Sequence, residues 1–574
     1  MVAAALAALC IGAGALSTVA APPEILTAPR VGYGGRARMG AWTPVWIDIT
    51  APSSGLDGAV TVAATPPTGG SIVRYSTPVR AAPGARVRIF VPVIFYDARV
   101  PGTVELEDGG RRIASLPIPR LRSVEEIIVA LSSEPLGAED VAARAERVEI
   151  AYLGPEDLPP VWQAYEGVRL LVIRSLDERR LNDTQRQAMR RWVWTGGRLL
   201  AMPSGDDTRH LQGPTLAPLL PGGIAARSTA ATPGRPIIML TPRPGSEPFG
   251  DADARGLRWR HGRGQVLLWD RDGADPLSRG EPAEVRAWEQ ALASGVPAPP
   301  PDLEPTLAPL RPVPVRTQVL VTVLVLAYML AVRRLSRLAA TMRPAALVLV
   351  AVSVLVATIT AVRVAAVARR DASGVVASVV VTTIPGTGSG FVQMLARTVT
   401  SQRSDFVLRA SGGLLLRPAP ASGVVVVEHG QEAVVRGSGG GLRLAGSGVV
   451  PVLITGSVER QPAGDVAVVA NRSGVRLEKP WIFNGGRVQP VADIGADARL
   501  PLEAQRWQAR DRLQRTEPNH QLLLWAFTML ESDAILKATP TWLVGWLRDP
   551  GLGLRWGNRS ESTQALILVP LAAR

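Results

Sequence analysis

Two uncharged stretches, Thr317–Val332 and Pro344–Val362, constrain this chain more than any other feature. A short joint carrying Arg333, Arg334, Arg337 and Arg343, with no acid, separates them. A membrane-spanning helix needs about 20 apolar residues, with a range of about 17–25. The second stretch, at 19 residues, has that length; the first, at 16, reaches it if Arg316 and Arg333 extend their charges to the interfaces. The spacing predicts a two-helix transmembrane hairpin over 317–368. The four arginines disfavour the alternative of a hairpin buried in a core, and the preference of basic residues for the inner side puts their joint in the cytoplasm. Both large flanking regions would then lie outside the cell membrane. The start of the chain agrees: residues 2–23 carry no charge and run through Leu6–Ile11 to small residues around Ala20, as in an export signal peptide or an N-terminal anchor over 1–21.

Composition excludes several classes of chemistry. The net charge is +14, and all but two of the 63 positive side chains are arginine. The two lysines, Lys479 and Lys537, lack the Gly-Lys-Ser/Thr setting of a phosphate-binding loop. Cys10 is the single cysteine, and the histidines are His210, His261, His429 and His520. Disulfides, structural zinc, iron–sulfur clusters and Cys-His catalysis are excluded. The arginine pairs (Arg111-Arg112, Arg179-Arg180, Arg190-Arg191) are scattered and not interleaved with aromatics, so no nucleic-acid surface is expected.

The rest divides by period. Residues 22–121 show short apolar runs about ten residues apart, broken by Gly and Pro: Trp42–Thr50, Ala59–Ala63, Val87–Phe95 and Thr103–Leu106. This predicts an antiparallel β-sandwich, with Val87–Phe95 apolar enough for a central strand. Over 122–296 strands alternate with helices. Glu126–Leu131, Val148–Leu153, Val168–Ile173 and Arg198–Met202 read as strands, and a helix from about Asp183 to Thr195 is capped by Asn182 or Asp183 and ended by Gly196-Gly197. That alternation predicts an α/β domain with a parallel sheet. Residues 297–316 hold eight prolines and form a stiff linker. Residues 369–574 read as a β-rich domain, with Gln521–Leu530 as a buried helix. The fold class expected is therefore multidomain: β-sandwich, α/β parallel-sheet domain, transmembrane hairpin and C-terminal β-rich domain.

Tyr165-Glu-Gly-Val-Arg-Leu-Leu-Val-Ile-Arg174, the helix after it, Trp194-Thr-Gly-Gly-Arg-Leu-Leu-Ala-Met-Pro-Ser204, and the later Gly262-Arg-Gly-Gln-Val-Leu-Leu-Trp-Asp270 together resemble the class I glutamine amidotransferase-like fold. The closer resemblance is to the version in uncharacterised bacterial membrane proteins, where an N-terminal sandwich precedes that domain and membrane helices follow. Active members of the family carry a cysteine on a strained turn after a central strand, served by His and Glu. The matching turn here is Met202-Pro203-Ser204-Gly205-Asp206, so the resemblance implies a degenerate nucleophile turn at Ser204, Gly205 and Asp206.

Ser204 as a nucleophile would need His210 or His261 as its base, and neither spacing matches a known triad; the chain also has no Gly-x-Ser-x-Gly elbow. Asp206-Asp207 and Asp251-Ala-Asp253 are paired carboxylates whose residue types suit turns as well as metals. Gly386-Thr-Gly-Ser-Gly390 lacks the helix and acid of a dinucleotide site. No cofactor, metal or catalytic residue is assigned. The expectation is a membrane-tethered, extracytoplasmic binding or scaffold protein of the bacterial inner membrane, with the bilayer and other envelope proteins as partners. The alternatives are an accessory subunit of a transport or secretion assembly, and a hydrolase using Ser204 or loop carboxylates.

Overall fold

The computed structural model describes residues 25–65, 72–144, 148–205, 207–228, 237–250, 256–274, 282–293, scattered positions between 323 and 363, and most of 374–573. Strands make up 52% of the described residues and helices 17%.

The N-terminal strands alternate as their sequence does. In Trp42–Thr50 the side chains of Val45, Ile47 and Ile49 are fully buried while Asp48 and Thr50 are partly exposed. Burying each such aliphatic side chain stabilises the fold by roughly 1.5–3 kcal/mol. This strand is the middle one of a three-stranded sheet, between Arg30–Val31 and Arg86–Ile94. The apolar run at 87–95 therefore ends on a sheet edge instead of in the centre as its sequence predicts. Its apolarity is used against the facing sheet, where Val91, Val93, Ile94 and Phe95 join the main core.

The facing sheet is where the two β regions, separate in the sequence reading, become one body. Leu56–Ala64, Val73–Ala81, Gly102–Asp108 and Arg111–Pro117 form its antiparallel N-terminal half. Val73–Ala81 then pairs in parallel with Val425–His429, in the register Val73↔Val425 to Ser76↔Glu428. Glu432–Ser438 and Asp405–Ser411 continue the same nine-stranded sheet. One hydrophobic core holds Val60 and Tyr75 from the first hundred residues with Val427, Leu543 and Ile567 from the last 150 or so. Arg555–Trp556 and Arg559–Ser560 complete that sheet, and the other C-terminal strands form a second large one, on which the helix His520–Ser532 buries Leu523, Phe527 and Leu530 against Phe483, Trp542 and Leu566.

Between these β regions in sequence lies a parallel sheet in the order Val148–Tyr152, Glu126–Leu131, Val168–Ile173, Arg198–Ala201, Gly264–Trp269, extended by the antiparallel Gly256–His261 and Glu247–Phe249. Its central strands are apolar on both faces because both are covered. Val129, Leu171 and Leu199 pack to one side, and Ile128, Val172 and Leu200 to the other. The helix Asp183–Thr195 begins with a capping box, in which Asn182 Oδ1 accepts from Gln185 N at 2.8 Å and Asn182 N donates to Gln185 Oε1 at 3.0 Å. It ends at Gly196, whose φ of 130° lies in a region open to glycine.

The two-helix transmembrane hairpin is corrected by this structure. Among the described residues no helix is long and apolar enough to cross a membrane. Two of the longest described helices have 13 residues each, about 20 Å at 1.5 Å per residue against a hydrocarbon core of about 30 Å. Most of 317–368, with Arg337 and Arg343, lies outside the described residues, while Arg333 and Arg334 are exposed helical positions. The reading of 1–21 as a signal peptide also falls outside them, and the membrane and signal-peptide assignments are not retained.

Candidate functional site at the carboxyl end of the parallel sheet

Open parallel sheets bind ligands beyond the carboxyl ends of their strands, at the point where strand order reverses. Here that point lies between Glu126–Leu131 and Val168–Ile173, the first and third strands of the domain, whose ends are paired at Leu131↔Ile173. The chain leaves these ends as Ser132-Ser133-Glu134 and as Arg174.

An ion-pair network fills the crevice. Arg174 Nε donates to Asp272 Oδ1 at 2.7 Å and its Nη2 to Asp272 Oδ2 at 2.8 Å, and an Arg174 Nη2–Glu134 Oε2 contact of 2.8 Å reaches the rim. The Arg174 and Asp272 side chains are 7% and 9% exposed. Asp272 also accepts from Gly205 N at 2.7 Å and Ala274 N at 3.0 Å. Burial alone would push its carboxyl up, but the hydrogen bonds from Arg174, Ala274 and Gly205 and the Arg174 charge outweigh it and hold the group below the usual carboxylate range. Hydrogen bonding to Asp272 likewise raises Arg174, against burial. The network is charged at neutral pH, and it ties together the loops after four strands, through Glu134, Arg174, Gly205 and Asp272.

Ser204 and Gly205 lie in the loop that this network clamps. Gly205 has a φ of 54°, whereas Ser204 is absent from the positive-φ residues. The strained elbow that presents a nucleophile is thus missing at the serine. Ser204 instead closes a tight turn with Asp207, through Ser204 N to Asp207 O at 3.1 Å and Asp207 N to Ser204 O at 2.9 Å. The Asp207 carboxylate is bound by Arg209, which holds it well below its usual range. Asp206 and the pair Asp251 and Asp253 lie outside the described residues.

Neither candidate base serves the serine. The His210 ring nitrogen Nε2 is 3.0 Å from Met202 O, and since a carbonyl only accepts, Nε2 carries the proton. Burial lowers this histidine, with the Met202 carbonyl partly opposing. His261 pairs with Gly264 where Gly264–Trp269 begins, whereas Ser204 follows the far end of the neighbouring strand, whose Ala201 is level with Leu268. At about 3.3 Å per residue this separates the two by more than 10 Å. His261 sits between Trp194 and Trp259, with ring centroids at 5.6 and 5.3 Å, and burial first, then the Arg243 and Arg190 charges, pull it down to about 4. Among the described residues no group of three or more His, Cys, Asp or Glu stands as a metal cluster would.

The sequence reading missed Arg174, Asp272 and Glu134. Its available signal was positional: Arg174 follows a six-residue apolar strand directly, and Asp272 follows another by three residues. Charges placed there emerge at the carboxyl edge of the sheet. Beside the network, an open groove of about 970 Å³ runs along the start of the helix Asp183–Thr195, lined by Glu178, Arg186, Arg190, His210 and Thr215.

Residues 24–119 match the family model of a domain of unknown function, DUF8726. The match ends before the parallel sheet begins. No curated protein matches the chain.

Proposed function

We propose that this chain is a non-catalytic binding scaffold, its α/β domain keeping an amidotransferase-like outline without the nucleophile. The observation that carries the reading is the Arg174–Asp272 pair. It occupies the switch-point crevice, both Asp272 oxygens are hydrogen-bonded, and it fixes through Gly205 the loop where a nucleophile would stand. The Asp272 carboxylate accepts from Gly205 N, so the loop of Ser204 is held by a structural ion pair and not by a catalytic base. The spread of arginines into pairs with Asp48, Glu149, Glu105, Glu126 and Glu459 supports proteins or small molecules as partners in preference to nucleic acid.

The full-length protein treated with a fluorophosphonate probe, and separately with glutamine, tests this reading. Neither Ser204-dependent labelling nor ammonia release is expected. Labelling that disappears in Ser204→Ala would overturn it.

A further inference from the structure

At the opposite end of the parallel sheet, three parts of the chain enclose a second cavity, of about 720 Å³. The segment Arg38–Trp42 forms one wall. The turn Trp162–Glu166 and the end of the helix Asp183–Thr195 form another, and strand residues Phe391–Leu395 and Ala445–Ser447 a third. The volume falls within the roughly 300–1,000 Å³ of small-molecule sites. The walls are fixed to one another: Gln163 Nε2 donates to Ser447 O at 3.0 Å, Trp162 meets Phe391 edge to face at 5.3 Å, and Arg417 pairs with Glu166 below the Trp42 ring.

The lining is strongly biased in charge. Arg38, Arg169, Arg198, Arg263 and Arg417 face it, with Glu166 as the one carboxylate. Glu166 is taken by Arg417, and Arg169 is paired with Glu126 behind the wall. Arg198 is 4% exposed, and burial first, then the Arg169 charge, pull its guanidinium down to about 10.

Polar groups are also left open. Gln393 is 8% exposed and lines the cavity, yet among the described residues its side-chain amide makes no hydrogen bond. The Trp162 indole N–H is buried without a partner among them. Arg38, exposed on the lining, has none either. Buried polar groups are almost always satisfied, so an unpartnered indole N–H at an arginine-lined, aromatic-walled cavity points to a bound molecule.

We propose that this cavity binds a small oxyanion, a carboxylate or a phosphate, carried on a planar apolar body. Arg38 closes on the anion, guanidinium forks being suited to both oxyanions. The body lies between Trp42 and Trp162, and Gln393 supplies the neutral hydrogen bond. The inference goes beyond the non-catalytic reading and is independent of it, because this site lies at the other end of the sheet from Ser204.

Calorimetry on the full-length protein with 2-naphthoate, 2-naphthyl phosphate and the neutral isostere 2-naphthamide provides the test. Saturable binding of either oxyanion is expected, with the tighter of the two identifying the head group, and at least about tenfold weaker binding of the amide, the value of a charge-assisted hydrogen bond. Arg38→Gln and Gln393→Leu should each weaken the oxyanion by about tenfold while leaving the melting temperature within a few degrees. The proposal is overturned if neither oxyanion binds, if the amide binds as tightly, or if both folded variants bind as the parent does.

Discussion

Tyr75 and His429 lie nearly parallel across the seam between the two ends of the chain, their ring centroids 6.4 Å apart and the interplanar angle 11°. Trp42 meets His429 edge-on at 5.7 Å, with the Arg417 guanidinium 6.0 Å from the Trp42 ring. Among the described residues neither His429 ring nitrogen has a hydrogen-bond partner.

Burial pulls His429 down to about 4, against about 6.5 in an unfolded chain. The unfolded state therefore binds the proton first as pH falls. The contribution of this neutral histidine to stability is fully present above pH 6.5 and is lost between about 6.5 and 4, on the order of 3 kcal/mol in all. Urea midpoints measured at pH 7.5 and 4.5 should separate sharply in the parent protein and less so in His429→Phe. Equal separations in the two would refute the assignment.

Breaking the Arg174–Asp272 pair on one side strands a buried charge. Arg174→Met and Asp272→Leu should each cost about 3–5 kcal/mol, and the double replacement should recover much of the loss, because an apolar pair of similar volume needs no partner. Chemical unfolding of the three variants gives the cycle. An additive double mutant would show that the two residues act independently.

Gly264 lies against the end of the helix Asp183–Thr195. A Cβ there would come within 1.8 Å of Val193 O and 2.4 Å of Gly197 O, both backbone atoms. Gly264→Ala should abolish soluble expression or lower the melting temperature by more than about 10 °C. Gly223, where an added Cβ meets nothing within 4 Å, serves as the control, and Gly223→Ala should melt within a few degrees of the parent. Similar melting of the two variants would contradict the packing described.

A fragment of residues 22–121 ought not to fold alone. The outer edge of Val73–Ala81 would lose its partner Val425–His429, and Tyr75 would lose the far side of its core. Size-exclusion chromatography should find the fragment aggregated or expanded. A monodisperse fragment with a cooperative melt would contradict the shared core.

What the sequence made legible is local. The helix Asp183–Thr195 carries its start at Asn182 and its stop at Gly196 within one short stretch, and its inward residues Ala188, Met189, Trp192 and Val193 recur at helical spacing. The strands after it announce themselves as apolar runs. The meeting of Arg174 with Asp272 and of Val427 with Tyr75 has no local signal: the partners are far apart in sequence, and their pairing depends on how whole sheets dock. The same limit misled the reading of the apolar run at 87–95, which is buried by a facing sheet and so resembles a central strand. For 317–362, apolar length and the arginines of the joint suggested a membrane hairpin, whereas among the described residues no helix is long and apolar enough to cross one.

The parallel pairing of Val73–Ala81 with Val425–His429 also imposes a delay during synthesis. The later strand is made roughly 350 residues after the earlier one, which at about 5–20 residues per second means roughly 20–70 s on the ribosome. For that interval an unpaired strand edge, Val-Arg-Tyr-Ser at its paired end, stands open to any neighbouring chain. The yield of native sheet then depends on how long that edge stays open as well as on the contacts that finally close it.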